Sequence, residues 1–176
     1  METTSADFFT IPDPPETVSA GTILGRLADG IGFRYRWATE GISAADLSFR
    51  PAEGCMTLGE LLSHVLELLS WLAQSLGLPA KYELLRSADP DIIRARTLEL
   101  AAGLAARFKA MTESEVAAVR VRSSRGDRLP VWNIVNGPLA DSLTHVGQIL
   151  SWRRIAGSPP AHADVFRGLP PQGRVS

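Results

Sequence analysis

The chain has 176 residues, a formal net charge of -1, 45% hydrophobic and 21% charged residues, a make-up that suits one globular domain with a real core and excludes a disordered or fibrous chain. Near-neutral charge with no long block of one sign argues against a nucleic-acid partner. A lone cysteine, Cys55, leaves no internal disulfide to form, and acids and prolines stand at the N-terminus in place of a basic and then apolar leader, so the expectation is a cytoplasmic protein.

The first predicted helix runs from about Val18 to Glu40, with Ile23, Leu27 and Ile31 in i, i+4 register and Gly41 as its stop. Gly25, Gly30 and Gly32 lower its intrinsic propensity, so tertiary packing must hold it. The second helix has the clearest start: Thr57 and Glu60 have the spacing of a capping box, and Gly77 and Pro79 close the segment. Leu58, Leu61, Val65, Leu69, Leu72 and Leu76 form one stripe at the 3.6-residue period. This is the most apolar stretch, yet Glu60, His64 and Glu67 interrupt it, which marks a buried helix of a soluble protein and not a membrane span.

A third helix is predicted from Asp91 to Met111, capped by Asp89 ahead of Pro90, with Ile93, Leu100, Leu104, Phe108 and Met111 facing inward. The next segment, VAAVRVRSSRGDRLP, has room for one short extended piece before a turn at Gly126 and Asp127, and a hairpin needs a second strand that the pattern does not supply. A fourth helix is expected from Val131 to Ala156, stopped by GSPP, followed by an irregular tail over 157–176. The expected fold is all-α: a four-helix bundle over about 18–156 with irregular N- and C-terminal extensions, in one domain.

Chemistry concentrates on two of these helices. Residues four apart on a helix differ by about 40° and share a face, so Asp141 and His145 point the same way. They are expected roughly opposite the stripe Trp132, Val135, Leu139, Leu143, Val146 and Leu150, but Ile134, Ile149 and Trp152 share their side, and a helix apolar around most of its circumference is usually buried. A carboxylate there needs a partner, which is either His145 or a metal ion. On the second helix, His64 lies off the leucine stripe with Glu60, Glu67 and Trp71. If the two polar faces meet, His64, Asp141 and His145 form a set of two imidazoles and one carboxylate. Three protein ligands with open positions describe a catalytic metal site, one that polarises an oxygen ligand or lowers the pKa of a bound water or thiol.

The motifs TLGELLSHV and, much later, PVWNIVNGPLADSLTHVGQILSWRR resemble the DinB superfamily, also called YfiT-like, over roughly residues 20 to 156. That family is a four-helix bundle with one His on the second helix and an H-x-x-x-H pair on the last, the second His closely followed by Gly-Gln. The resemblance implies that His64 and His145 are metal ligands and that Asp141 occupies the place of the remaining His, a harder oxygen donor able to bind zinc, nickel, iron or manganese. It further implies metal-dependent hydrolase or transferase activity on a small-molecule substrate, a low-molecular-weight thiol as a further cofactor, and a homodimer.

Trp71 and Gln148 are candidate substrate-contacting residues; packing for the tryptophan and a backbone hydrogen bond for the glutamine are the structural alternatives. No general base stands out, since Glu60 is engaged by the capping box and Glu67 is a candidate only by its shared face with His64. Cys55, just before the helix cap, reads as a buried inert residue, with a reactive thiol as the alternative, His162 lies outside the matched region, and Arg120, Arg122, Arg125 and Arg128 read either as a solvated loop or as partners for the carboxylates of an acidic thiol. Two functions follow: a metal-dependent enzyme, or a catalytically silent dimeric bundle that binds a small molecule or protein.

Overall fold

A computed structural model describes residues 7–79, 89–123 and 125–172. The first six residues of the N-terminal stretch and the last four of the tail lie outside this set. Four long helices are present: α1 (Ala20–Thr39), α2 (Leu58–Ser75), α3 (Pro90–Lys109) and, after smaller elements, α6 (Ala140–Ile155). They pack in the cyclic order α1, α3, α2, α6 and back to α1, so each helix has two neighbours and the shared interior is closed on four sides. No helix among the described residues is long and apolar enough to cross a membrane.

The local signals account for three of the four helices. Thr57 and Glu60 form the reciprocal capping box at the start of α2, and Asp89 accepts from the Asp91 amide with Pro90 in the first turn of α3. Gly41 and Gly77 take φ of +70° and +73° just past α1 and α2, a backbone region that suits glycine. All six residues of the predicted α2 stripe are buried, and Ile93, Leu104 and Phe108 of α3 join them in the core, with Leu100 partly buried against it.

Of the residues expected on the inward face of α1, Ile31 is buried and Leu27 partly buried against the core, but Ile23 is not. Ile23 is 58% exposed, while Leu24, Ala28, Ile31, Tyr35 and Ala38 are buried; Gly21 and Gly25 decide this, because they seat α1 on α3. A Cβ on Gly21 would lie 2.5 Å from the Phe108 carbonyl oxygen, and that close backbone approach fixes which side of α1 turns inward.

Two further elements were not anticipated. Helix α4 (Glu113–Ala118) follows a second reciprocal capping box, Thr112 with Glu115. Strand β1 (Arg120–Arg122) pairs antiparallel with β2 (Arg128–Pro130), so the second strand that the sequence pattern did not supply exists. It is legible only through its partner: β2 is three residues long and ends in proline, which costs nothing at an edge.

The fourth helix is interrupted. A single helical turn, α5 (Trp132–Ile134), is followed by a wider turn over Val135–Leu139, in which Gly137 leaves helical geometry at φ -94°, ψ -114° directly before Pro138. Proline disfavours helical backbone in the residue before it and donates no hydrogen bond. The break rotates the preceding residues, so Trp132 is 75% exposed and Val135 is also exposed, against their predicted place in the apolar stripe. The tail carries no helix but closes one isolated bridge, Asp164 with Leu169, and the Ile11 amide donates to the Gly168 carbonyl, which ties the two terminal extensions together.

Candidate metal centre

Below the break, α6 buries Ser142, Val146, Ile149 and Arg153. Asp141, His145, Gln148 and Trp152 run along one side of this buried stripe by the helical period, beside it and not opposite the apolar face as predicted. Two contacts hold α6 in place, one toward α2 and one toward the end of α1. The Trp152 indole N–H donates to the Met56 carbonyl, 2.9 Å, just ahead of α2. The Arg153 guanidinium, 4% exposed, donates to the Ala38 and Glu40 carbonyls at 2.9 and 2.7 Å, satisfying backbone acceptors that the end of α1 leaves open.

On α2, His64 sits among buried Leu61, Leu62 and Val65 but turns its ring toward α6. The result brings together the three residues singled out in the sequence. His64 Nε2 lies 3.8 Å from Asp141 Oδ2, and His145 Nε2 lies 3.3 Å from Asp141 Oδ1. The two imidazoles meet edge to face, centroids 4.7 Å apart at 80°. One ligand atom from each residue falls within 4.8 Å of the others, a group able to hold a metal ion. Bonds of about 2.0–2.1 Å in a tetrahedral site put neighbouring ligand atoms about 3.3 Å apart, so the His145–Asp141 edge already has that spacing, the His64–Asp141 edge needs to contract by about 0.5 Å, and the edge between the imidazoles by about 1.5 Å at most.

The outer contacts bear on the protonation of the rings. Gln148 Oε1 lies 2.7 Å from His145 Nδ1; an amide oxygen only accepts, so Nδ1 carries the hydrogen, and when the ring is neutral Nε2 presents its lone pair to Asp141. Two lone pairs facing each other at 3.3 Å repel unless a proton or a cation lies between them. Glu67 stands 3.6 Å from His64 Nδ1, the same arrangement at longer range. Second contacts of this kind fix the tautomer and orientation of metal-bound histidine. Neutral imidazoles with one carboxylate sum to a charge of -1, which leaves a divalent ion with net positive charge toward a further ligand.

The site is half open: side-chain exposure is 34% for His64, 45% for Asp141 and 13% for His145. A groove of about 420 Å³ adjoins His64, walled by Leu47, Met56, Ser63, Glu67 and Ile93. Glu60 borders it, but its carboxylate accepts from the Thr57 amide at 2.7 Å, and that backbone hydrogen bond, then the Thr57 hydroxyl, holds it below the usual carboxylate range, which suits a cap and not a proton shuttle. Trp71 lines a different cavity, with the β-hairpin, and Gln148 is engaged with His145. Cys55 is half-buried, and His162 is exposed in the tail. Sequence reasoning did not find Arg153; its neighbour Arg154 is exposed, and a pair of arginines carries no signal as to which one turns inward.

Comparison with protein-family models, with curated proteins and with solved structures finds no significant match to this chain.

Proposed function

We propose that this chain is a metal-dependent enzyme of the DinB type, a hydrolase or low-molecular-weight-thiol transferase acting on a small molecule, with one divalent ion on His64, Asp141 and His145. The observation that supports the reading is the convergence of these three donors, from helices far apart in sequence, within 4.8 Å of one another, with Gln148 hydrogen-bonded behind one imidazole. Zinc, nickel, iron and manganese all accept two nitrogens and one oxygen. A divalent ion held there supplies Lewis acidity toward an oxygen or sulfur ligand.

The residues around the centre divide the remaining work. Gln148 holds the His145 proton on Nδ1 and keeps Nε2 free to bind. Asp141 lies in the first turn of α6, one turn ahead of His145 on the same face. The groove beside His64 receives substrate, with Leu47, Met56 and Ile93 as its apolar wall. A homodimer belongs to the same proposal, and exposed Val18 and Ile23 at the start of α1 offer it an apolar surface.

The test is metal content. Protein purified without a polyhistidine tag and dialysed against zinc, nickel, iron or manganese is expected to retain one equivalent of at least one of them by mass spectrometry. His64→Ala, Asp141→Ala and His145→Ala should each lose it while remaining folded by circular dichroism. A wild type that retains none of the four ions, or variants that retain them all, overturns the reading and leaves the silent bundle.

A further inference from the structure

The β-hairpin carries a second cluster that the metal centre does not use. Alternation along β1 turns Val121, fully buried, into the core and puts Arg120 and Arg122 on the opposite, exposed face. The antiparallel register sets Arg128 directly across from Arg122. Three guanidinium groups therefore share one face, and like charges directly opposite each other destabilise a strand pair.

Nothing among the described residues neutralises them. Arg120 donates to the Ala117 and Val119 carbonyls at 2.9 and 2.8 Å, so its charge is unmatched, and Arg122 and Arg128 have no ion pair or side-chain hydrogen bond among the described residues. The one acid of the connecting turn, Asp127, instead directs its carboxylate to the Ser123 hydroxyl, 3.3 Å. The three arginines line a cavity of about 520 Å³ whose facing wall, from α2, is Trp71, Gln74 and Ser75, with no acid among the described residues of the lining. That volume lies in the range of small-molecule sites, which combine an apolar or aromatic surface with a few converging polar groups. Planar guanidinium groups match carboxylate and phosphate oxygens in paired hydrogen bonds.

We propose that this cavity binds a small organic dianion, its carboxylates or phosphate on Arg120, Arg122 and Arg128 and its planar body against Trp71. The repulsion between Arg122 and Arg128 is relieved when the ligand enters, so the cost of placing the two arginines opposite each other is recovered as affinity. His64 lies two turns earlier on α2, about 10 Å along the axis; the cavity is separate from the His–Asp–His centre and does not depend on a metal there.

The experiment titrates the full chain, in buffer containing a chelator, with isophthalate and with phenyl phosphate, following thermal stability and tryptophan fluorescence; benzamide is the uncharged control. At least one dianion is expected to raise the melting temperature saturably and to change the emission, and which of the two does so separates a carboxylate ligand from a phosphate ligand. Arg122→Gln and Arg128→Gln should each weaken that binding at least about tenfold, while leaving the ligand-free melting temperature unchanged or higher because repulsion is removed. Asp141→Asn should bind like the wild type. The proposal fails if neither dianion binds at millimolar concentration, if the arginine variants bind as the wild type does, or if they lower the ligand-free melting temperature as structural residues would. Binding that is lost in Asp141→Asn and kept in the arginine variants also overturns it, by assigning the ligand to the metal centre.

Discussion

Gly21 and Gly30 lie on the same helix, α1, and the structure predicts opposite outcomes for the same substitution at each. A Cβ on Gly21 would stand 2.5 Å from the Phe108 carbonyl oxygen and 2.8 Å from that of Met111, where ordinary contact begins near 3.4 Å. Both obstacles are backbone, so no side chain can swing aside, and α1 must retreat from α3 by about 0.9 Å at this point. Overpacking of a tight interface costs about 1–3 kcal/mol. A Cβ on Gly30 meets nothing within 4 Å, so Gly30→Ala gains only the helix propensity of alanine over glycine, about 0.8–1.0 kcal/mol. In a chain of this size each kcal/mol moves the melting temperature by about 2–4 °C. Gly30→Ala should therefore melt about 2–4 °C higher than the wild type, and Gly21→Ala about 2–12 °C lower. Calorimetric melts, with urea midpoints at unchanged slope as a second measure, read both. Gly21→Ala equal to or above the wild type would show that α1 is not seated on α3 at this distance. A destabilised Gly30→Ala would mean that this face of α1 is covered in solution, as it would be by a second copy of the chain.

Three further outcomes follow. Gln148→Ala removes the acceptor behind His145 and should weaken zinc binding about 10–100-fold in competition with a chromophoric chelator; an unchanged affinity would remove Gln148 from the role of orienting that ring. Arg153→Met strands the Ala38 and Glu40 carbonyls and should destabilise the fold by about 1.5–3 kcal/mol in urea, whereas a neutral result would mean that water replaces the guanidinium at the end of α1. The carboxylates of Asp46, Glu60 and Glu115 are held below their usual range chiefly by the backbone amides of Ser43, Thr57 and Thr112. Groups with lowered folded pKa contribute stability that is complete above their unfolded values, near 4, and is lost as pH falls through the folded values. The melting temperature should therefore drop below about pH 4.5, with a shallower acid limb in Glu60→Gln/Glu115→Gln; an identical limb would show that other groups set it.

Much of the fold is legible residue by residue because helix starts and stops are local chemistry. Thr57 with Glu60, Asp89 before Pro90, and Gly41 after α1 each satisfy or release backbone groups within a few residues, and nothing distant changes that. Thr112 with Glu115 is the same signal, sufficient to have marked α4. The leucine stripe of α2 is equally robust, since a face that regular has only one way to leave water. The candidate site was half legible: the i, i+4 spacing of Asp141 and His145 puts them on one face whatever surrounds the helix.

The sequence by itself determined where most of the helices begin and end and which side chains could share a face, because those are properties of the backbone period and of its unpaired amides. Only the tertiary structure decided which faces meet. Bare backbone at Gly21 turned Ile23 outward, the break at Gly137 and Pro138 rotated Trp132 and Val135 into solvent, and a three-residue strand acquired its identity from the partner across from it. His64 reached Asp141 and His145 for the same reason: packing of α6 against α2, pinned through Trp152, and against the end of α1, pinned through Arg153, closes a long separation along the chain that no local rule can measure.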